Sequence, residues 1–413
     1  MHICMLTYYY WPVPAGGTEN QCRRLSAALV ARSHTCTVLT SCHESTNISE
    51  EEEASGVRII RKPILETILY KIRGSRGAQG LGGKTDYHAK SGKKTEGRLP
   101  NLKKKAASWT ADGLRYGNIF FFALGVLSFL RKNHNSIDIL HVHTADWIAG
   151  LTALAGKFFS IPVVCKGADM PVFPPLHAVP LAADCDIWRR KPHFIALTPA
   201  MQNDLIQGGI QKTKITVIPN GVELPTQTVA VEKNEDFLYI GNFSQSAAHK
   251  GFDLLIKAWA EFHRQCPSPR LILLGGGDAA PWLHLAHQLN CLDSIDFAGY
   301  QKELTAFFNT SCCLLLPSRK EGISNALLEA QSWGLPAIVS DIPGNREVVE
   351  EQHTGIIVPV EDSAALTKAM VSLYKDKDTR QAYGRAARKR MEDFFALDRV
   401  AERTVRLYEE LSG

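Results

Sequence analysis

The chain has 413 residues, 45% of them hydrophobic and 22% charged, the composition of a soluble globular protein. Its length exceeds a single core and implies two domains of about 200 residues. The net charge of +5 is unevenly placed: residues 58–105 carry 14 Lys/Arg against 3 Asp/Glu, a local +11 that leaves the remainder at −6. Ten cysteines occur without a CxxC or a Cys/His ligand spacing, which argues against a disulfide frame or a zinc site and for reduced, buried thiols in a cytosolic protein. The amino terminus, MHICMLTYYYWP, lacks a basic n-region, a long apolar core and a small-residue cleavage site, so no signal peptide is expected. The most apolar run, residues 119–130, is 12 residues long and too short to span a bilayer. The protein is expected to be soluble and cytoplasmic, or at most to rest on a membrane surface.

In chain order, His2–Thr7 is expected to be a strand, Tyr8–Gly17 an aromatic, Pro- and Gly-rich loop, and Thr18–Arg32 a helix with Leu25, Ala28 and Leu29 inward. Strand, glycine loop and helix open a Rossmann unit. Gly16-Gly17 permits positive φ and close backbone approach, and Glu19 suits the helix dipole, although a plain tight turn would use the same pair. Cys36–Thr40 is the second strand. Residues 70–108, rich in Gly, Lys and Arg, are expected to be a mobile insertion without packed structure. That basic stretch is either simply solvated or meets anionic headgroups or a lipid diphosphate. Nucleic acid is unsupported, because no aromatic interleaving or known module accompanies it.

Ile137–Val142 is a strand ending in His141-Val142-His143, two side chains that point the same way. Two ligands without a third make a poor metal site, and no metal is expected. Ile161–Lys166 is the next strand, ending in Lys166-Gly167-Ala168-Asp169 at a carboxyl edge, Met170–Pro180 a Pro-rich loop, and Phe194–Thr198, Pro199–Gly208 and Ile215–Ile218 read as strand, helix and strand. A polar linker over 223–235 leads to a second domain beginning with the strand FLYIGN, the loop FSQSAAHKG and the helix Phe252–Phe262. Arg270–Leu274 is a strand before Gly275-Gly276-Gly277, which lacks the Lys-Ser/Thr of a Walker motif. Strands Ile295–Phe297 and Ala337–Ser340 follow, with helices over Ser363–Tyr374, Thr379–Phe394 and Asp398–Leu411.

Between those two strands lies the most informative stretch, PSRKEGISNALLEAQSWG, residues 317–334. It follows the apolar strand Cys312–Leu316 and enters a helix with Ile323, Ala326, Leu327 and Ala330 on one stripe. The turn sits at the carboxyl end of a buried strand, where open α/β sheets bind ligands. Free N–H groups near Ile323, Ser324 and Asn325, with the positive end of the dipole, suit a phosphate. Glu329 lies four residues beyond Asn325, roughly 6 Å at about 1.5 Å per residue, the step from a diphosphate to a ribose. Glu321, on the other side, is placed to receive hydroxyls of whatever the diphosphate carries. Two carboxylates so spaced around a helix N-terminus describe a nucleotide-sugar cradle.

Glu321 and Glu329 form an E-x7-E pair, and EGISNALLEAQSWGLPAIVSDIPGNREVV resembles its surroundings in the retaining glycosyltransferases of family four. The resemblance implies the GT-B fold, two Rossmann-like α/β domains with parallel sheets facing a central cleft. The expected division is an acceptor domain over 1–222, the linker 223–235, a nucleotide-sugar domain over 236–390, and a closing helical segment 391–413 that crosses back to the first domain. Gly16-Gly17-Thr18-Glu19 resembles the family's first glycine loop, near the donor diphosphate and the acceptor. The H-x-H of the family places His143 near the donor sugar and acceptor, while His141 is read as a packing or hydrogen-bonding residue. Pro219-Asn220-Gly221-Val222 resembles the signature before the linker. Lys250 matches a diphosphate-gripping lysine, against the alternative of an exposed, unrelated one. The family's arginine beside it is replaced by Asn242, which offers only neutral hydrogen bonds. Arg319 or His249 is expected to supply the missing charge.

The implied activity is retaining transfer of a sugar from a nucleotide diphosphate sugar, UDP-sugar by default, to a hydroxyl of a glycan or lipid-linked acceptor. The reaction is expected to be metal-independent and without a cofactor: the attack comes on the same face and the departing phosphate takes the acceptor proton. His143, Glu321 and Lys250 are the expected catalytic residues. Gly16, Gly17, Asn242, Arg319, Gly322, Ile323, Ser324, Asn325 and Glu329 are the expected donor contacts. An anionic membrane surface is a further expected partner through residues 58–105, and nucleic acid is not. The alternative is a catalytically silent GT-B nucleotide-binding protein, to which only Asn242 points. A phosphorylase would need a pyridoxal-phosphate lysine, and an epimerase would lack this order of motifs.

Overall fold

The computed structural model describes residues 1–10, 16–42, 50–74, 101–168, 187–226 and 234–413. In the first half, short apolar runs form strands separated by helices. They are β1 (His2–Leu6), α1 (Gly17–Val30), β2 (Thr35–Cys42), β3 (Glu50–Glu52), β4 (Arg58–Pro63), α2 (Leu65–Gly74) and α3 (Asn101–Asn133). Then follow β5 (Ile139–Val142), α4 (Trp147–Phe158), β6 (Val163–Lys166), α5 (Ile187–Arg190), β7 (His193–Ala196), α6 (Pro199–Gln207) and β8 (Ile215–Val217). The strand order is β3-β4-β2-β1-β5-β6-β7-β8, and every pairing is parallel except the edge pair β3–β4.

The second half repeats the plan: β9 (Phe237–Ile240), α7 (Phe252–Gln265), β10 (Leu271–Leu274), α8 (Ala280–Gln288), β11 (Ile295–Gly299), α9 (Thr305–Thr310) and β12 (Cys313–Leu316). It continues through α10 (Asn325–Ser332), β13 (Ala337–Ser340), α11 (Pro343–Val348), β14 (Gly355–Val358), α12 (Ser363–Lys375), α13 (Lys377–Arg390) and α14 (Leu397–Ser412). This sheet is wholly parallel, in the order β11-β10-β9-β12-β13-β14. Helices cover both faces of each sheet, which is why the central strands are apolar throughout. Ile3 to Leu6 and Cys313 to Leu315 are fully buried. Parallel strands also gather their carboxyl ends along one edge, and that edge of each sheet lines the cleft described below.

One expectation is corrected. The stretch 70–108 was expected to lack packed structure, but α2 runs to Gly74 and α3 begins at Asn101; residues 75–100 lie outside the described ones. The reason is a run of apolar residues at helical spacing: Phe122, Val126, Phe129 and Leu130 are buried along α3. Gly117 and Gly125 let the helix lie close, since a Cβ there would stand 2.3 Å from Leu65 and 2.8 Å from Lys62. In addition, β3, β4 and β14 had not been foreseen. The expected loop Met170–Pro180 lies wholly outside the described residues.

The last helix packs against the first half. Val400, Ala401, Leu407 and Tyr408 join a core with Ile3, Met5 and Leu25. Leu397 N–H donates to Val222 O at 2.8 Å, and Val222 N–H to Phe395 O at 2.9 Å. No helix among the described residues is long and apolar enough to cross a membrane.

Candidate active site between the two halves

The cleft has a volume of about 270 Å³ and takes its walls from both sheets. On the second-half wall, β12 ends at Leu316 and the chain turns through Pro317–Ser324 into α10. Ser324 is the N-cap but makes no side-chain cap bond, so the first N–H groups of the helix face the cleft without a protein acceptor there. The dipole adds partial positive charge at the same point. Lys250 precedes Gly251, whose φ of +69° suits glycine and whose Cβ would lie 2.0 Å from Pro317 O. That close approach brings Lys250 Nζ to 2.6 Å from Glu321 Oε1, and Ser318 Oγ donates to the same oxygen at 2.9 Å. Glu321 is therefore held in one orientation before any ligand arrives.

On the first-half wall, β5 delivers His143 to the cleft. It is 1% exposed, and neither ring nitrogen has a hydrogen-bond partner among the described residues. Burial first, then the neighbouring His141 and Lys166, hold its proton affinity well below the ordinary histidine value, so the ring is neutral. His141 stacks on it, ring centroids 4.3 Å apart, and its Nδ1 hydrogen-bonds the Tyr408 hydroxyl of α14. Burial lowers the pKa of His141 to about 3. The reading of His141 as a packing residue agrees with this geometry. Asp146 serves α4 as its N-cap, accepting from Ile148 N–H at 2.9 Å.

The same wall contributes Lys166, at the end of β6. It is 5% exposed and makes no hydrogen bond or ion pair among the described residues. Thr18 and Gln21 reach the cleft from α1, and Asn220 from the turn after β8.

Direct contacts join the walls. Gln21 Nε2 donates to Asn325 Oδ1 at 2.8 Å, and Asn325 Nδ2 to Gly17 O at 2.9 Å. Asn220 Nδ2 donates to Ile323 O at 3.3 Å. Arg24 of α1 pairs with Glu329 of α10. Gly322 lies so close to the opposite wall that a Cβ would stand 2.3 Å from Ala168 O.

Of the residues singled out in the sequence, the cleft brings together Gly17, His143, Lys250, Glu321, Gly322, Ile323, Ser324 and Asn325. Gly16 caps α1 behind Gly17, and Glu329 stands one turn along α10, held by Arg24. Two expected donor contacts lie elsewhere. Asn242 is exposed and turns its Oδ1 back to Ser244 N–H at 2.8 Å. Arg319 forks onto Asp253 at 2.8 and 3.0 Å and onto Glu361, and donates to Ala248 O, so its charge is already spoken for. His249 is exposed and likewise not part of the lining. Sequence reasoning placed Thr18 and Asn220 in motifs resembling the family's and Lys166 at a strand's carboxyl edge without naming them as site residues, and it missed Gln21 altogether. For Lys166 the available signal was its position at the carboxyl end of a buried strand. Among the described residues there is no group of three or more His, Cys, Asp or Glu that could hold a metal ion.

Comparison with known proteins fits this geometry. The family model described as Glycosyltransferase Family 4 matches residues 15–225, and that described as Glycosyl transferases group 1 matches residues 223–390. The chain belongs to glycosyltransferase family 4. This glycosyltransferase is 27% identical to the glycogen synthase of Mycobacterium tuberculosis over 435 residues, covering 99% of this chain and 94% of that one. It is 26% identical to the O-antigen chain mannosyltransferase C of Escherichia coli over 70% of this chain and 80% of the relative. Among solved structures it is similar to Anabaena HepE in complex with UDP, with a TM-score of 0.71 and 16% identity over the whole of both chains. It is also similar to sucrose-phosphate synthase from Thermosynechococcus elongatus, TM-score 0.71 and 19% identity over 99% and 98% of the chains. The glycosyltransferase has the GT-B fold.

Proposed function

We propose that this glycosyltransferase transfers a sugar, with retention of configuration, from a UDP-sugar to a hydroxyl of a glycan or lipid-linked acceptor without a metal ion. The observation that carries the reading is the uncapped N-terminus of α10, opening on the cleft between the Lys250–Glu321 pair and Glu329. A diphosphate on that N-terminus has its charge met by N–H groups, the helix dipole and lysine. Glu321, fixed by Lys250 and Ser318, orients hydroxyls of the donor sugar. The neutral His143 has both ring nitrogens available for the same sugar or for the attacking hydroxyl. Same-face attack then needs no carboxylate nucleophile, because the departing phosphate oxygen accepts the acceptor's proton. Glu329 receives the ribose hydroxyls once it leaves Arg24. Support for uridine comes from HepE, a structural neighbour solved with UDP and with UDP-glucose. A glycan or lipid-linked acceptor is in keeping with the glycogen synthase, the O-antigen mannosyltransferase and a diphosphoundecaprenol galactosyltransferase among the relatives.

The reading extends to location: the exposed apolar face of α3, next to the basic stretch 58–105, rests on an anionic membrane surface. The catalytically silent alternative is not favoured, since His143, Lys250 and Glu321 all line the cleft.

The test is a thermal-shift panel with UDP, GDP, ADP and dTDP, repeated on Glu329→Ala. A nucleotide at 100 times its Kd adds about 2.7 kcal/mol of apparent stability. UDP is expected to raise the melting temperature of the wild type and to lose most of that shift on the variant. No shift with any of the four would sink the nucleotide-sugar reading.

A further inference from the structure

Three cations lie in or beside the cleft from the second half or face it from α1, and each already has a carboxylate. Lys250 is paired with Glu321, Arg319 with Asp253 and Glu361, and Arg24 with Glu329. Lys166 differs. It lines the cleft, it is 5% exposed, and it has no carboxylate or hydrogen-bond acceptor among the described residues. Its backbone is fixed by β5 on one side and β7 on the other, with Lys166 in register with Ile195 and Gly167 N–H donating to Ile195 O at 2.9 Å. The side chain is therefore presented by a rigid sheet edge and not by a surface loop. Nearby Cys22 does not serve as its counter-ion, because burial raises that thiol's pKa and keeps it neutral.

An ammonium group on a residue 5% exposed, open to the cleft and without an acceptor among the described residues, is costly. The cost is removed if an anion enters the same space. The end of β6 also comes close to the phosphate position: Ala168 O abuts Gly322, three residues before α10 begins. Lys166 and the uncapped N-terminus of α10 thus face one volume from opposite walls.

We propose that Lys166 binds the diphosphate of the donor from the first-half wall and is the second cation of that site. This rests on the nucleotide-sugar reading above. The assignment gives the diphosphate one lysine from each half of the molecule. Lys250 reaches it from the second half with part of its charge committed to Glu321, whereas Lys166 brings an uncommitted charge. Lys166 leans toward deprotonation, its pKa lowered by burial to about 8, yet remains mainly charged near neutrality. An arriving diphosphate would stabilise the protonated form.

Calorimetric titration of UDP, UMP and uridine into the wild type and Lys166→Met tests this. The wild type should bind UDP most tightly. The variant should lose roughly 10- to 100-fold in UDP affinity, the usual range for one charge-assisted hydrogen bond, and bind uridine as before. Its melting temperature without ligand should equal or exceed that of the wild type, which separates loss of a ligand contact from loss of a structural one. Lys166→Arg, which keeps the charge, should recover part of the UDP affinity. If Lys166→Met does not fold, Lys166→Gln takes its place in the same titration. UDP affinity unchanged within twofold in the neutral variant overturns the proposal, and would assign Lys166 to an anionic group on the acceptor instead. A wild type that binds none of the three probes refutes the UDP-sugar reading on which the proposal stands.

Discussion

Lys166 has a thermodynamic signature that needs no ligand. Burial lowers its folded pKa to about 8, against about 10.4 in an unfolded chain. Below pH 8 both states hold the proton, and the folded state bears the whole cost of a buried charge, about 3 kcal/mol. Between pH 8 and 10.4 the unfolded state binds more protons than the folded one, so stability rises with pH as the folded lysine becomes neutral. Lys166→Met lacks this term. The difference in urea-unfolding free energy between variant and wild type should favour the variant most at pH 7 and shrink steadily toward pH 10. A difference that stays flat over that range would mean that Lys166 is not buried and charged in the unliganded protein. His141 and His143 act in the opposite window. Both are neutral when folded, so stability is full above pH 6.5 and falls as the unfolded chain takes up protons below it.

At the scale of elements, α3 deserves a test because its outward side is unusual. Tyr116, Phe120, Leu124 and Leu127 are 52%, 58%, 46% and 36% exposed, at spacings of three and four that align them on one stripe. A stripe of four large apolar side chains on one helix face suits a bilayer interface. Phe120→Asp should cut cosedimentation with vesicles containing phosphatidylglycerol several-fold while leaving the melting temperature nearly unchanged. Equal binding of variant and wild type would remove α3 from the membrane. Elements differed in how far their sequences disclosed them. Parallel central strands such as Cys313–Leu316 are buried on both faces and read as unbroken apolar runs. The edge strand Glu50–Glu52 has no such run, and Arg58–Pro63 mixes Ile59 and Ile60 with three charges, so neither announces itself. The start of α3 was hidden for a similar reason: its first turns are polar and basic, and the apolar spacing begins only near Asn118.

For the whole molecule, the cleft depends on how closely the halves approach. Gly322→Ala places a methyl group 2.3 Å from Ala168 O, a backbone atom of the opposite wall. The walls must separate or the turn must shift, at a cost of about 1–3 kcal/mol by the measure of overpacked cores. The variant should melt earlier and bind UDP more weakly, both visible in one thermal-shift series; wild-type values for both would show that the gap tolerates a side chain. This approach also explains which site residues could be read from sequence. Glu321 to Glu329 lie within one strand-turn-helix unit, so their spacing carries the geometry by itself. Lys166, Gln21 and Asn220 are single polar residues on ordinary elements, and only folding brings them beside Asn325, 159, 304 and 105 positions away. Arg319 misled for the converse reason: next to the site in sequence, it is turned aside by Asp253 and Glu361.

The pair formed by Arg24 and Glu329, with Gln21 on Asn325, has a kinetic meaning. The side chains proposed to greet the ribose and phosphate are already engaged by other groups of the protein. A nucleotide must compete with these internal substitutes, and its apparent affinity is scaled by the fraction of molecules in which they have let go. Loading is then gated by an opening step rather than by diffusion alone.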